Sequence, residues 1–306
     1  MYTIGWVCAL PKEQTAALYM LETKHEDLPN PINDHNAYYL GNIGQHNIVI
    51  ACLPMGRIGN NSSAVVATRM ISTFPNIKIG LMVGIGGGVP PKVRLGDVVV
   101  SCAKNGYPGV IQWDMGKTEK DGFKRTGSLD NPPTALLTAI SKFDTDPTES
   151  RAKMSKYLAD FKSRKSDFIT TDTLKDVLYK SSYIHAGRSQ NCNLCDESKI
   201  LKIPKREGMM IHYGLIASGN QVVKDAVFRN KLRKDFEGNL LCLEMEAAGL
   251  MNDFPCIVIR GICDYADSHK NKAWQEHAAA VAAAYAKTLL TMLPVSDINR
   301  MQTIKG

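Results

Sequence analysis

Two carboxylates set two residues apart raise the question of chemistry. Glu244 and Glu246 flank Met245 in the stretch CLEMEAAGLM, where an apolar run gives way to helix formers. In an extended strand, residues i and i+2 share a face, so two like charges stand side by side at the edge of a buried segment. Such a pair is costly unless a polar or cationic group is held there. The blander reading is a solvated helix start, where Glu suits the macrodipole; the sharper one is a ligand site. Other carboxylates occupy comparable places. Glu13 follows YTIGWVCALPK and Asp264 ends CIVIRGICD, while Gly84, Gly86, Gly87 and Gly88 follow GLMV.

The elements that would position these residues alternate along the chain. YTIGWVCAL reads as a strand and KEQTAALYMLE as a helix. NAYYLGNIG and HNIVIACLP read as strands around a glycine turn, and NNSSAVVATRMISTF starts with capping residues and continues as a helix. IKIGLMVGI is a buried strand, GGGVPP a loop, and LGDVVVS another strand. Residues 104–208 are polar, with short helical candidates at TALLTAI and MSKYLADFK. IHYGLIASG, NLLCLEME and FPCIVIRGI then resume the pattern, and a helix follows His277. Alternation of this kind predicts an α/β fold with helices on both faces of a mostly parallel or mixed sheet. Ligands collect beyond the carboxyl ends of such strands. Here those ends carry Glu13, Gly56-Arg57, the glycine run, Ser218-Gly219-Asn220, Glu244-Met245-Glu246 and Asp264.

Composition narrows the function classes. The chain has 306 residues, a formal net charge of +7 and eight cysteines. The basic residues are dispersed, so the charge favours a small anionic partner over nucleic acid. No apolar run has the length of a membrane span, and no basic flank precedes the first apolar run. Cysteines inside apolar runs suit reduced thiols and a cytoplasmic location. The glycine run fails as a dinucleotide fingerprint, because Pro90-Pro91 stops a helix from starting there. No phosphate loop of the G-x-x-x-x-G-K-[ST] type is present.

IGWVCALPKE, GRIGNNSSAVVATRM, VGIGGGVPPKVRLGDVVVS, GLIASGNQV, LEMEAAGL and VIRGICDYAD together carry a resemblance. In this order they resemble the superfamily of purine nucleoside phosphorylases and methylthioadenosine/adenosylhomocysteine nucleosidases. The likeness is greatest to fungal nucleoside-phosphorylase-like domains, often the N-terminal modules of immune-type receptor proteins. It implies a three-layer phosphorylase/hydrolase-like fold, with a central mixed sheet flanked by helices. One domain is expected over residues 1–295, with an insertion at about 104–208, followed by a frayed tail at 296–306.

The resemblance also assigns roles. Breaking an N-glycosidic bond builds positive charge on the ribose, which carboxylates stabilise. Glu246 matches the residue that binds ribose hydroxyls, Met245 packs on the sugar, and Gly86 and Gly87 line the substrate site. Asp264 matches the acid that protonates the leaving purine, and Glu13 the residue that activates water. Glu244 and Arg260 are expected to support from behind, paired with one another, and Asp267 to lie at the surface or cap a turn. Superfamily phosphorylases clamp phosphate with an arginine in the loop where this chain reads ALPKE, which favours hydrolysis. Two positions depart from the hydrolases: Ile85 stands where Ser is usual, and Asn220 replaces an Asp at a base-contacting position. Arg57 precedes a helix start, Asn60-Asn61-Ser62-Ser63, whose free backbone N–H groups suit an anion, so it is a candidate for a nucleotide 5′-phosphate or a surface residue beside a capped helix.

The expected function is a purine nucleoside or nucleotide N-ribohydrolase, adenine favoured, working as a homodimer without metal or redox cofactor. A phosphate-dependent phosphorylase and a non-catalytic ligand-sensing module are the alternatives. His185, Cys192 and Cys195 offer three zinc-type ligands where a closed tetrahedral site needs four, so two thiols in a loop remain the simpler reading.

Overall fold

The computed structural model describes residues 1–168, 174–188, 191–206 and 208–305. Strand β1 (Ile4–Cys8) is buried along its whole length and leads into α1 (Pro11–Met20), with Pro11 at a first-turn position suited to its fixed φ. Strands β2 (Thr23–Lys24), β3 (Tyr38–Ile43) and β4 (His46–Cys52) follow, then α2 (Asn60–Thr73), β5 (Ile79–Gly88) and β6 (Val98–Ser101). Next come β7 (Val110–Gln112), an exposed hairpin of β8 (Gly116–Glu119) and β9 (Gly122–Arg125), α3 (Thr134–Thr145) and α4 (Pro147–Arg164). The chain ends with β10 (Ile211–Ser218), α5 (Ala226–Asp235), β11 (Leu240–Glu244), β12 (Cys256–Asp264), α6 (Gln275–Leu290) and α7 (Val295–Arg300).

One mixed sheet carries the site, in the order β11-β10-β6-β12-β5-β1-β4-β3-β2, with β7 added on β10. Helices α1, α3, α4 and α6 cover one face, and α2 the other. Helix α6 is alanine-rich and buried on nearly every side, and its small side chains let it lie close against β5 and β12.

The sheet also closes on itself. Strand β5 runs parallel to β12 as far as Gly87 opposite Asp264, and its last residues pair antiparallel with β11, Leu243 opposite Gly87 and Cys242 opposite Gly88. The glycine run is therefore the end of a strand, not the loop expected from its composition. Crowding explains the glycines: a Cβ at Gly86 would stand 2.5 Å from the Cys242 Sγ, and one at Gly84 would overlap the Glu13 carboxylate and Arg260.

Two further expectations are revised. Within residues 104–208, β7 joins the main sheet, and Leu136, Ile140, Phe143, Met154 and Phe161 of α3 and α4 enter the core. The helical candidates TALLTAI and MSKYLADFK lie within α3 and α4, which run longer than expected and carry apolar residues that are sparse but correctly spaced. The tail after Pro294 is not frayed: α7 buries Ile298, and the Ile304 N–H donates to the Ile77 carbonyl at 2.9 Å.

Candidate active site

Glu13 owes its position to its own helix. It is the third residue of α1, and its Oε2 turns back to accept from the Ala9 and Leu10 N–H groups, at 2.7 and 2.9 Å. A carboxylate reaching back to the N-cap amide is half of a capping box. Its Oε1 accepts from the Ile85 N–H at 2.8 Å, so the same side chain ties α1 to β5. Only the backbone of Ile85 is used here, so the missing serine hydroxyl costs this bridge nothing. Burial raises the Glu13 pKa above the ordinary carboxylate range, against Arg260 and the three amides.

Arg260, fully buried on β12, faces Glu244 and Glu246. The Glu244 carboxylate takes the closer pairing with Nη2, and also accepts from the Glu246 and Ala247 N–H groups at 3.1 and 3.0 Å. Glu246 stands farther away, 3.4 Å from Nη2, and accepts from the Gly59 N–H at 3.4 Å. The opening pair is thus divided. Glu244 is spent on holding the turn and Arg260, whereas Glu246 keeps acceptor capacity and points into the cavity. Burial pushes the Glu246 pKa up to about 7, Arg260 opposes this, and Glu244 and Glu13 add to it. Three buried carboxylates share one guanidinium, an arrangement that favours a ligand bringing hydroxyl donors or positive charge.

Across the cavity, Asp264 accepts from the Ala266 N–H at 2.8 Å through Oδ1, and its Oδ2 pairs with Lys270 Nζ at 2.8 Å. Burial alone would lower the Lys270 pKa, but Asp264 and Cys263 outweigh it and hold it above its ordinary value. Lys270 was not singled out in the sequence; it lies in the polar run DSHKNK, where nothing marks it from a solvated lysine. Trp113 was missed too. It follows β7, its indole packs edge-on to Phe228 at 5.3 Å, and it forms an aromatic wall of the cavity.

The cavity, of about 190 Å³, gathers Glu13, Gly86, Gly87, Met245, Glu246 and Asp264 with Ile85, Trp113 and Lys270. Glu244 lines it as well, while Arg260 stands behind. Two expected ligands are not brought in. Arg57 lies in an exposed turn outside the lining, and the α2 terminus behind it is already occupied. There the Asn60 N–H donates to Asn220 Oδ1 at 3.1 Å, and the Gly59 N–H faces Glu246. Asn220 is accordingly a clamp between α2 and Asp114, whose carboxylate accepts from the Asn220 N–H at 2.7 Å. Asp267 is buried rather than at the surface, though it does cap a turn, accepting from the His269 N–H at 2.9 Å.

Comparison with known proteins gives the family and the fold. A family model described as Phosphorylase superfamily matches residues 3–293. A nucleotide-binding leucine-rich repeat (NLR)-like protein of Hyaloscypha variabilis is 46% identical over 300 residues, 95% of this chain and 29% of that protein. The chain therefore spans less than a third of that relative's length. A 5′-methylthioadenosine/S-adenosylhomocysteine nucleosidase of Mycobacterium bovis is 24% identical, over 96% of this chain and 97% of its own. Among solved structures, futalosine hydrolase of Helicobacter pylori shares the fold with a TM-score of 0.60, at 20% identity, covering 95% of this chain and 97% of that one. With a match to nearly its whole length, and a sheet and cavity built as described, the chain belongs to the phosphorylase superfamily.

Proposed function

We propose that the chain is an N-glycosyl hydrolase, in which water displaces a purine base from the ribose of a nucleoside or nucleotide. The observation that carries this reading is the charge of the cavity wall. Its described lining holds Glu13, Glu244, Glu246 and Asp264, with Lys270 as the one cation, and Lys270 is engaged by Asp264. Phosphate entering beside Glu13 would meet carboxylates rather than a cationic clamp, and in a water-excluded site such repulsion is strong. Water meets no such barrier.

The roles follow from position. Glu13 retains acceptor capacity beyond its three amide bonds and takes the proton of the attacking water. Glu246 accepts ribose hydroxyls and, when ionised, faces the positive charge that grows on the sugar. Met245 packs on the ribose, Gly86 and Gly87 admit the ligand close to the backbone, and Trp113 offers a face to the planar base. As the base departs with negative charge, the Asp264–Lys270 pair supplies the transferable proton. Adenine is favoured because 24%-identical relatives include nucleosidases named for methylthioadenosine, S-adenosylhomocysteine and ATP. A homodimer fits the apolar cavity rim, where Ile58 and Val222 are both 46% exposed.

The test is to incubate the protein with adenosine, with and without inorganic phosphate, and identify the sugar. Free ribose formed at the same rate in both supports hydrolysis. Ribose 1-phosphate, or turnover only with phosphate, would transfer the chain to the phosphorylases. No base release from any purine nucleoside or nucleotide would favour the sensing module suggested by the NLR-like relative.

A further inference from the structure

Behind Asp264 lies a second cavity of about 530 Å³, and Cys263 and Asp264 line both. Tyr179, Cys192, Asp267 and His269 form part of its wall. Cys192 belongs to that wall, and there its thiol, the Cys195 thiol and the His185 imidazole each bring a ligand atom within 4.8 Å of the others. The two cysteines are joined by a tight turn in which the Cys195 N–H donates to the Cys192 carbonyl at 3.0 Å, and both are free thiols. His185 Nε2 lies 2.9 Å from the Asn191 carbonyl. A carbonyl only accepts, so Nε2 carries the hydrogen and Nδ1 keeps its lone pair. Imidazoles that bind metals are held in one tautomer by this kind of bond.

We propose that His185, Cys192 and Cys195 bind one zinc ion, with water completing the tetrahedron. Two thiolates and an imidazole suit zinc over hard oxygen-seeking cations. Three protein ligands do not close a structural site, but they form the normal complement where a fourth position stays open to solvent. Cys192 on the wall of the second cavity, with His185 half-buried beside it, gives that access. The ion would also fasten this segment to the turn behind the first cavity. The His185 N–H already donates to Ser268 Oγ at 3.0 Å, and His269 stacks on Tyr179 with ring centroids 3.9 Å apart. Lys270, the partner of Asp264, comes next in the chain.

Metal binding is read without substrate, so its failure leaves the hydrolase reading untouched. The full chain is prepared under reducing conditions with added zinc, desalted, and its metal measured by elemental analysis. About one equivalent per chain is expected. Cobalt(II) in place of zinc should give the near-ultraviolet thiolate-to-cobalt charge-transfer absorption. The Cys192→Ser/Cys195→Ser protein should lose both signals, as should His185→Ala, while Cys102→Ser keeps them. Circular dichroism checks that each variant is folded, and chelator treatment of the unmodified chain repeats the test without substitution. Zinc retained in the double variant, or wild type that takes up neither zinc nor cobalt, overturns the proposal.

Discussion

Replacing Glu246 with Gln should make the protein more stable at alkaline pH while damaging ligand recognition. Burial is the main reason that the Glu246 carboxyl is raised from 4.5 to about 7. That difference corresponds to about 3 kcal/mol. Between those values the folded chain binds more protons at this site than the unfolded chain. The stability contributed by the protonated form is therefore complete below about 4.5, is lost as pH rises through about 7, and is constant beyond. Gln cannot ionise. The stability of Glu246→Gln relative to wild type should thus increase by about 3 kcal/mol between pH 4.5 and 8.5. Other groups bend the absolute curves: burial raises Glu13 and Asp267 and lowers His269 and His277 to about 4. Asp267, His269 and His277 are common to both proteins and cancel in the difference, which reports position 246 together with the carboxylates that interact with it, Glu244 and Glu13. Urea unfolding of both chains across this range measures it. A difference that stays flat with pH refutes the argument that Glu246 is a buried charge held at a cost. In the proposed reaction the same variant also loses discrimination between ribose and 2′-deoxyribose substrates, a trade of recognition for stability.

Asp264→Asn keeps size but has no proton to give, so base release from an unactivated purine nucleoside should fall about 10²–10⁴-fold with the fold intact; turnover near wild type removes Asp264 from that role. Glu244→Ala leaves Arg260 with its 3.4 Å ion pair to Glu246 and a 3.4 Å hydrogen bond to the Ile85 carbonyl, and a buried pair broken on one side costs about 3–5 kcal/mol in urea unfolding. A loss below about 1 kcal/mol would mean that Glu244 does not anchor the guanidinium. Gly86→Ala sets a Cβ against Cys242 Sγ and should cost about 1–3 kcal/mol, much of it recovered by Cys242→Ala in the same chain; no recovery would place the clash elsewhere.

Much of the site was legible because it sits where strands end. Glu13, Glu244, Glu246 and Asp264 each follow an apolar run, and Arg260 is conspicuous as a charge inside one. What could not be read depends on pairings across the sheet. The glycine run looks like a loop by composition, and only contact with both β11 and β12 makes it a strand. Asn220 and the start of α2 looked free because each is the other's partner, 160 residues away. Lys270 lies in a polar run and Trp113 just after the three-residue β7, and the partners that bury each come from distant segments, so no local pattern reveals them. Helix α4 shows the limit in extent only: MSKYLADFK marked half of an 18-residue helix, and the polar turns before it gave no sign that the helix begins at Pro147.

The pairing of β5 with β11 has a consequence for how the site comes into being. Strands β11, β10, β6, β12 and β5 form a closed circuit, and the site's carboxylates sit on or beside its rim. No sub-segment holds them all: Glu13 follows β1 and Asp264 ends β12, which meet on either side of β5, and closing β5 onto β11 adds Glu244 and Glu246. Closing it joins residues far apart in sequence, the slow kind of step in folding. The pocket should therefore be among the last features to assemble. A bound ligand would act as a clasp on the circuit, suppressing amide exchange in β5, β11 and β12 while leaving the outlying strands β2 and β3 little changed.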